Sequence, residues 1–145
     1  PFQHSCKLKV LCFEIAYFSY TNRCIPLTIK IKTLLNYNNK KFRPLKNSEN
    51  GDVTNELIFH YKQTGNILTC EYSGKKIKKG QLLGIVESDG TIKMNYHQIT
   101  LDHKLKTGNC ISKPKTLENG KLILEENWEW TNGNKSKGKS TLEKI

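Results

Sequence analysis

The sequence predicts an all-β fold, an eight-stranded antiparallel up-and-down barrel. Three observations lead to this prediction. From residue 36 onward, short segments alternate apolar and polar side chains with a period of two, turn-forming residues separate them every 8 to 15 residues, and no amphipathic helix of any length intervenes. Eight sequential antiparallel strands leave two unpaired edges unless the sheet closes on itself, so the barrel is favoured over the runner-up, a flatter two-sheet sandwich.

The first five predicted strands cover residues 41–45, 55–62, 67–73, 81–87 and 91–100. Pro44 places the first of them at an edge or a strand end, because proline cannot donate a hydrogen bond to a ladder. Residues 47–52 form a loop with an Asn-Gly turn signal. The turns at residues 63–66 and 88–90 join neighbouring strands as hairpins, and residues 74–80 form a basic turn.

The last three predicted strands cover residues 105–113, 122–131 and 139–143. Pro114 closes the first of these, and the turn at residues 118–120 leads into the second. With a period of two, one face of this second strand carries Leu122, Leu124, Glu126, Trp128 and Trp130. The chain has only these two tryptophans. The strand is therefore expected to give the interior an aromatic wall that includes one carboxylate.

Residues 1–35 differ in character from residues 36–145 and are predicted to lie outside the barrel. They hold three of the five cysteines and one acid, Glu14, and their apolar residues keep neither a helical nor a strand period. The favoured interpretation is upstream sequence read through into the frame, with a native start near Leu34 or Leu35, ahead of a native extension. A secretory signal comes third, because Glu14 interrupts its apolar run and no small-residue cleavage site follows.

The chain has no run of the roughly 18 apolar residues that a membrane-spanning helix needs, so no membrane partner is expected. Cys70 and Cys110 are expected to be free buried thiols in a reducing compartment. A cytoplasmic location is therefore predicted. The oligomeric state is left open.

The net charge of the whole chain is +11, and it comes almost entirely from lysine. Lysine accounts for 22 of the 24 basic residues, and residues 36–145 carry 19 basic and 12 acidic residues. Lysine clusters at residues 75–79 and 135–139 leave open a nucleic-acid or anion-binding module. This is the second choice, because arginine, which reads phosphates and base edges with two parallel hydrogen bonds, is scarce.

The candidate ligand-binding residues are aromatic side chains and the few polar ones expected inside the barrel. They are Tyr61, Tyr72, Tyr96, Glu126, Trp128, Trp130, Arg43 and Cys110. Buried tyrosine and tryptophan carry a polar group that needs a partner, which suits a pocket. Small barrels also use aromatic rings as core filler, and the sequence leaves both interpretations open. Arg43 and the tyrosine hydroxyls are the available partners for the Glu126 carboxylate, which is costly to bury alone.

No catalytic residue, metal site or cofactor is predicted. His60, His97 and His103 lie on separate segments, and the chain has no H-x-H or C-x-x-C spacing that would direct two ligands at one ion. Cys110 with His97 is the one pair that fits covalent catalysis. Nothing in its spacing singles it out.

Several short motifs between residues 36 and 145 carry a family resemblance. They are FHYK at 59–62, EYSG at 71–74, KG at 79–80, YHQ at 96–98, TG at 107–108 with Cys110 and Ser112, and WEWT at 128–131 followed by KSKG at 135–138. In these motifs the chain resembles a family of small bacterial proteins with an avidin-like barrel domain, many of which carry the name N-acetylglutamate synthase. The resemblance implies the fold and no established activity.

The synthase name implies acetyl transfer from acetyl-CoA, whose pyrophosphate usually lies on a glycine-rich loop at a helix N-terminus. The nearest glycine-containing turns, 63–66 and 78–81, lie between strands and open no helix. This activity is therefore the third and least favoured. The preferred function is the binding of an unidentified small molecule inside the barrel, without chemistry of its own.

Overall fold

The computed structural model describes residues 34–145, and these residues form one antiparallel sheet. The interpretations of residues 1–33 lie outside the described part of the chain. The strands of the sheet are β1 (Lys41–Asn47), β2 (Phe59–His60), β3 (Lys62–Thr64), β4 (Ile67–Gly74), β5 (Ile77–Val86), β6 (Ile92–Thr100), β7 (Leu105–Thr116), β8 (Leu122–Trp130) and β9 (Lys137–Lys144). From β3 to β9 each strand pairs with the next along the chain, and β1 pairs with both β9 and β2.

β2 and β3 are two halves of one strand that is interrupted at Tyr61. β2 pairs with β1, whereas β3 pairs with β4. At the interruption, the Tyr61 N–H donates to the Lys40 carbonyl and the Tyr61 carbonyl accepts from the Asn39 N–H, both at 2.9 Å. If the two halves are counted as one strand, eight strands form a nearly closed ring. The predicted up-and-down barrel is confirmed.

Several strand boundaries differ from the predicted ones, and two of these differences have a clear physical reason. β5 begins at Ile77, so the predicted basic turn shrinks to residues 75–76. A bulge between Ile77 and Lys79 breaks the alternation at this point and hides the start of the strand. β7 runs through Pro114, because the pairing of β7 with β6 ends at Ser112 and the proline loses no ladder hydrogen bond on that side.

One end of the barrel, here called the sealed end, is a packed core. Its inward side chains, at most 2% exposed, are Phe42, Leu68, Val86, Ile92, Leu124 and Leu142. Tyr37, which precedes β1, is fully buried, and its hydroxyl donates to the Gly90 carbonyl at 2.7 Å. The Tyr37 N–H donates to Gln63 Oε1, also at 2.7 Å. Leu34 and Leu35 pack against the same core.

The opposite end is crossed by the loop between β1 and β2, residues 48–58, here called the cover loop. Beside β1, the Ser48 N–H donates to the Lys139 carbonyl at 2.9 Å, and the Lys139 N–H donates to Ser48 Oγ at 2.8 Å. Asp52 accepts hydrogen bonds from Gln98 on β6 and Lys106 on β7. Because β6 and β7 lie across the ring from β1, the loop spans the mouth of the barrel. Residues 55–56, predicted as strand, form a turn in it.

Candidate functional site

A cavity of about 70 Å³ lies inside the barrel beneath the cover loop. Six aromatic residues line it: Phe59, Tyr61, Tyr72, Tyr96, Trp128 and Trp130. The ring centroids of Tyr96 and Trp130 are 5.1 Å apart in an edge-to-face arrangement, and those of Trp128 and Trp130 are 6.3 Å apart. A cavity of roughly 150 Å³ is large enough for benzene. The space therefore suits a group of only a few heavy atoms.

Three of these rings face a glycine on the neighbouring strand. The cross-strand pairs are Tyr72 with Gly80, Tyr96 with Gly108 and Trp128 with Gly138. A Cβ atom added to these glycines would lie 2.3, 2.4 and 2.2 Å, respectively, from the facing ring. Any side chain there would push the ring away from the wall and into the cavity. The three glycines therefore provide the room that lets large rings line the barrel and still leave space inside.

Glu126 is the deepest lining residue on β8, because the next inward residue, Leu124, belongs to the packed core. The ladders on both sides of β8 run past Glu126 without a bulge, so the side chain points inward as the alternation predicts. Its Oε2 accepts a hydrogen bond from Ser140 Oγ at 2.7 Å, and Ser112 lies opposite it on β7. Glu126 forms no ion pair with any basic residue of 34–145.

Desolvation raises the pKa of the Glu126 carboxyl to about 7, against the opposing effect of the Ser140 hydrogen bond. Ser112 is also close enough to lower this pKa, although its hydroxyl forms no hydrogen bond of normal geometry. Desolvation likewise raises the pKa of Tyr61, Tyr96 and Cys110, and the nearby Glu126 charge adds to the effect. These neighbours therefore stay neutral at physiological pH, and Glu126 is the group among them that changes charge.

A hydrogen-bonded chain ties the cover loop to the rim of the cavity. The Tyr72 hydroxyl donates to Gln98 Oε1 at 3.3 Å, and Gln98 Nε2 donates to Asp52 Oδ2 at 2.9 Å. Lys106 Nζ lies 2.5 Å from the same Asp52 oxygen and 3.8 Å from the centroid of the Trp130 ring. The Asp52 carboxylate is therefore matched by a positive charge, unlike that of Glu126.

Two buried polar atoms on lining residues have no hydrogen-bond partner within residues 34–145. They are Nε1 of the Trp130 indole and Oδ1 of Asn47. Trp130 is only 5% exposed. Asn47 uses its other side-chain atom, Nδ2, to donate to the Val53 carbonyl at 2.9 Å. Because nearly all buried polar atoms in folded proteins are paired, these two atoms are exceptions, and both belong to residues that line the cavity.

Seven of the eight predicted site residues line this one cavity. They are Tyr61, Tyr72, Tyr96, Cys110, Glu126, Trp128 and Trp130. Arg43 lies outside it: its Nε is 2.6 Å from Glu143 Oε1 and half of its side chain is exposed. The expectation that Arg43 is an available partner for Glu126 is wrong, because Arg43 holds an outward position between the buried Phe42 and Pro44. Ligand binding by the seven residues stays a prediction.

Four polar lining residues are absent from the predicted set: Asn47, Asp52, Gln98 and Ser140. Gln98 lies two positions from Tyr96 on β6, and Ser140 two from Leu142 on β9, so alternation places both inward. Asn47 and Asp52 carry no comparable signal. They lie beside and within the cover loop, whose course follows no period.

Cys110 and His97, the candidate catalytic pair, do not meet. Cys110 faces the cavity, whereas His97 is exposed and its Nε2 lies 3.2 Å from Gln81 Oε1. Cys70 and Cys110 are free and buried, as expected. Within residues 34–145, no cluster of histidine, cysteine, aspartate and glutamate is arranged to hold a metal ion. The same residues contain no helix that is long and apolar enough to cross a membrane.

Together, the ring of eight strands and the aromatic cavity inside it define an antiparallel barrel of the size that holds one small ligand. Residues 35–145 match the family model described as avidin-like protein, and the chain belongs to that family. No curated protein and no solved structure matches the sequence. The resemblance to avidin-like barrel proteins is thereby confirmed, while the bacterial origin stays a prediction.

Proposed function

We propose that this protein binds a small molecule in the barrel cavity and performs no chemistry on it. The observation that carries the proposal is the buried Trp130 N–H, which lacks a partner among the described residues although its ring lines the cavity. Leaving a buried donor unpaired costs about 1 to 3 kcal/mol. A core built only for packing would avoid that cost with an apolar side chain, whereas an acceptor on a ligand would remove it.

The composition of the cavity wall supports the same proposal. Ligand sites are commonly apolar and aromatic, with a few polar groups that fix orientation. Here aromatic rings form most of the wall, and Asn47, Gln98, Glu126 and Ser140 contribute polar atoms to it. The cover loop adds Asp52 and closes the mouth over them.

The proposal that the protein performs no chemistry rests on the protonation of the thiol and hydroxyl groups in the cavity. The Cys110 thiol and the Tyr61 and Tyr96 hydroxyls have raised pKa values, so none supplies a nucleophilic anion at neutral pH. None of the three histidines in the described part of the chain lines the cavity. No helix occurs within residues 34–145 to hold the pyrophosphate of acetyl-CoA, so acetylglutamate synthesis is not proposed.

The test is a thermal-shift screen of diverse small molecules against the full chain, followed by titration of each hit. Trp130→Phe keeps an aromatic ring and removes the N–H. We expect this substitution to lower the affinity for each hit at least about fivefold, which corresponds to the loss of one hydrogen bond of about 1 kcal/mol.

Tyr37→Phe is the matched control, because it removes a hydroxyl from the sealed end, away from the cavity. It should lower stability and leave the affinity of every hit unchanged. A screen without hits would contradict the proposal. So would hits that bind the Trp130 variant as tightly as the unaltered protein.

A further inference from the structure

The charged groups on the cavity wall are both carboxylates. They are Asp52 and Glu126, and none of the lysine, arginine and histidine residues of 34–145 lines the cavity. Asp52 is ion-paired with Lys106 and accepts a hydrogen bond from Gln98. Glu126 has only the hydroxyls of Ser140 and Ser112 beside it. An anionic ligand would meet a repulsive site, and an unpaired carboxylate remains at its deepest point.

Other carboxylates of the barrel already have basic partners. Glu71 pairs with Lys79, Glu129 with Lys137, and Glu143 with both Arg43 and Lys121. These side chains are on the outer face, where lysine can reach them from a neighbouring strand. Glu126 faces the interior, where the positions around it on β7 and β9 are held by serine. Its countercharge must therefore come from outside the described chain or be replaced by a proton.

The rings above Glu126 add a second preference of the same sign. Trp128 and Trp130 lie two and four residues beyond it on the same face of β8, and both line the cavity. The faces of aromatic rings carry partial negative charge and attract cations, most strongly when water is excluded. A half-buried carboxylate below several aromatic rings is an arrangement that favours a positively charged group over a neutral one of the same shape.

Resting on the proposed function, we propose that the ligand is a small organic cation whose protonated nitrogen pairs with Glu126 and packs against the aromatic wall. Amine, amidine and guanidine groups have this chemistry. The cavity of about 70 Å³ limits the buried cationic group to a few heavy atoms. Asn47 and Trp130 line the same cavity, and Asn47 Oδ1 and the Trp130 N–H, which lack partners among the described residues, would supply one acceptor and one donor to such a ligand.

The opposite possibility is a neutral ligand that accepts a hydrogen bond from protonated Glu126. The two kinds of ligand differ in the pH dependence of their binding. A cationic ligand requires ionised Glu126, whereas a neutral hydrogen-bond acceptor requires protonated Glu126. Cys110, Tyr61 and Tyr96, whose pKa values the Glu126 charge helps to raise, remain protonated across the neutral range, and Ser112 and Ser140 do not titrate. Asp52 at the mouth keeps its Lys106 partner. Glu126, whose pKa is about 7, therefore dominates the response.

The experiment uses three probes of one shape: acetamidinium, acetamide and acetate, which carry positive, zero and negative charge. The full chain contains two tryptophans, and both line the cavity, so intrinsic fluorescence reports on this site alone. At about pH 8 and constant ionic strength, acetamidinium should bind at least about tenfold more tightly than acetamide, and acetate should not bind. From about pH 6 to about pH 8, acetamidinium affinity should rise about tenfold as Glu126 ionises.

Glu126→Gln keeps the shape of the side chain and removes its charge. The substitution should lower the affinity for acetamidinium at least about tenfold and abolish the pH dependence of that affinity. The affinity for acetamide should stay nearly unchanged. Glu125→Gln is the matched control: Glu125 is the adjacent residue, exposed on the outer face and paired with Lys115. It should alter neither affinity nor pH dependence. If the Glu126 variant does not fold, the charge series and the pH profile of the unaltered protein decide the question.

Acetamide binding as tightly as acetamidinium, or acetamidinium affinity that falls with rising pH, would overturn the proposed cation. Unchanged acetamidinium affinity in a folded Glu126→Gln variant would do the same. If acetamide or other neutral molecules bind and acetamidinium does not, only the cation is overturned and the small-molecule function stands. If no probe and no screened compound binds, both proposals fail.

Discussion

At the residue scale, Glu126 gives the fold a pH dependence of unusual sign. The pKa values of the carboxyls of Glu71, Glu129 and Glu143 are lowered by their hydrogen bonds with neighbouring side chains, so their stabilising effect is lost as pH falls. The pKa of Glu126 is raised. Its stabilising effect is fully present below the unfolded pKa, about 4.5, and is lost as pH rises through about 7. The two windows do not overlap.

Glu126→Gln should therefore change the free energy of unfolding mainly above neutral pH. At about pH 8 the variant should be more stable than the unaltered protein by about 1 to 3 kcal/mol, because it no longer buries an unpaired charge. At about pH 5 the difference should be within about 1 kcal/mol. Urea unfolding at a series of pH values measures both. Glu125→Gln should stay within about 0.5 kcal/mol throughout, and equal small effects of the two substitutions would count against a buried, ionised Glu126.

Side-chain direction was largely predictable at this scale, because the period of two is a local property of a strand. It placed Glu126, Trp128 and Trp130 on the inner face. The same rule places Arg43 outside, since Phe42 and Pro44 point inward. Only its positive charge, which is complementary to that of Glu126, makes Arg43 a candidate for the site. Charge complementarity cannot replace the direction of the side chain.

At the element scale, the pairing of rings with glycines creates the cavity, and it depends on register between strands. Each ring and its glycine are separated along the chain by the turn of a hairpin, as with Trp128 and Gly138. The sequence shows both residues but not that they are opposite each other. For this reason the aromatic residues were predicted, whereas the choice between pocket and packed core was not.

Gly138→Ala should destabilise the barrel by about 1 to 3 kcal/mol, the usual cost of overpacking. Its Cβ would lie 2.2 Å from Trp128 Cζ2, so the indole must move toward the cavity. The control is the same substitution in a Trp128→Leu background, where the clash is absent and the cost should shrink. Urea unfolding of the four proteins gives the coupling energy. A coupling near zero would show that the ring does not depend on the glycine.

The cover loop depends on one partly buried ion pair, between Asp52 and Lys106. Asp52→Asn should lower the free energy of unfolding by about 1 to 2 kcal/mol, because it removes a charged acceptor shared by Lys106 and Gln98. Asp102→Asn, in the exposed pair with Lys104, should leave the free energy of unfolding nearly unchanged. Chemical denaturation compares them. Equal costs would mean that Asp52 does not anchor the loop.

At the scale of the whole molecule, nine of the 19 basic side chains in residues 36–145 are neutralised by local ion pairs. Lys75, Lys79 and Lys137, all from the predicted basic clusters, pair with Glu56, Glu71 and Glu129, respectively. Both tryptophans are buried inside the barrel and cannot stack on bases. The charge is therefore expected to contribute to solubility rather than to recognition.

Binding to mixed-sequence DNA or RNA at physiological salt should accordingly be no tighter than the roughly 10⁻⁴ to 10⁻⁶ M of non-specific contact. Fluorescence anisotropy with labelled oligonucleotides measures it. A submicromolar dissociation constant that survives added salt would favour the basic module over the small-molecule site.

The contribution of residues 34–39 to stability can be tested by comparing two shortened proteins. A protein beginning at Leu34 should fold with a cooperative urea transition, since Leu34, Leu35 and Tyr37 supply the sealed end. A protein beginning at Lys40 lacks the fully buried Tyr37 and should lose about 3 to 5 kcal/mol, the cost of removing a large core side chain. Aggregation of the longer protein would show that residues 1–33 are needed for folding.

The ladder between β1 and β9 is set apart by the distance of its partners along the chain. Arg43 and Glu143 are 100 residues apart, whereas Trp128 and Gly138 in a hairpin are 10 apart. Closing a loop ten times longer costs about 2 kcal/mol more in chain entropy. We infer that the meander from β3 to β9 assembles first and that β1 joins last. The cover loop follows β1, so the binding site is completed only at that final step. A bound ligand would therefore stabilise the part of the fold that forms last.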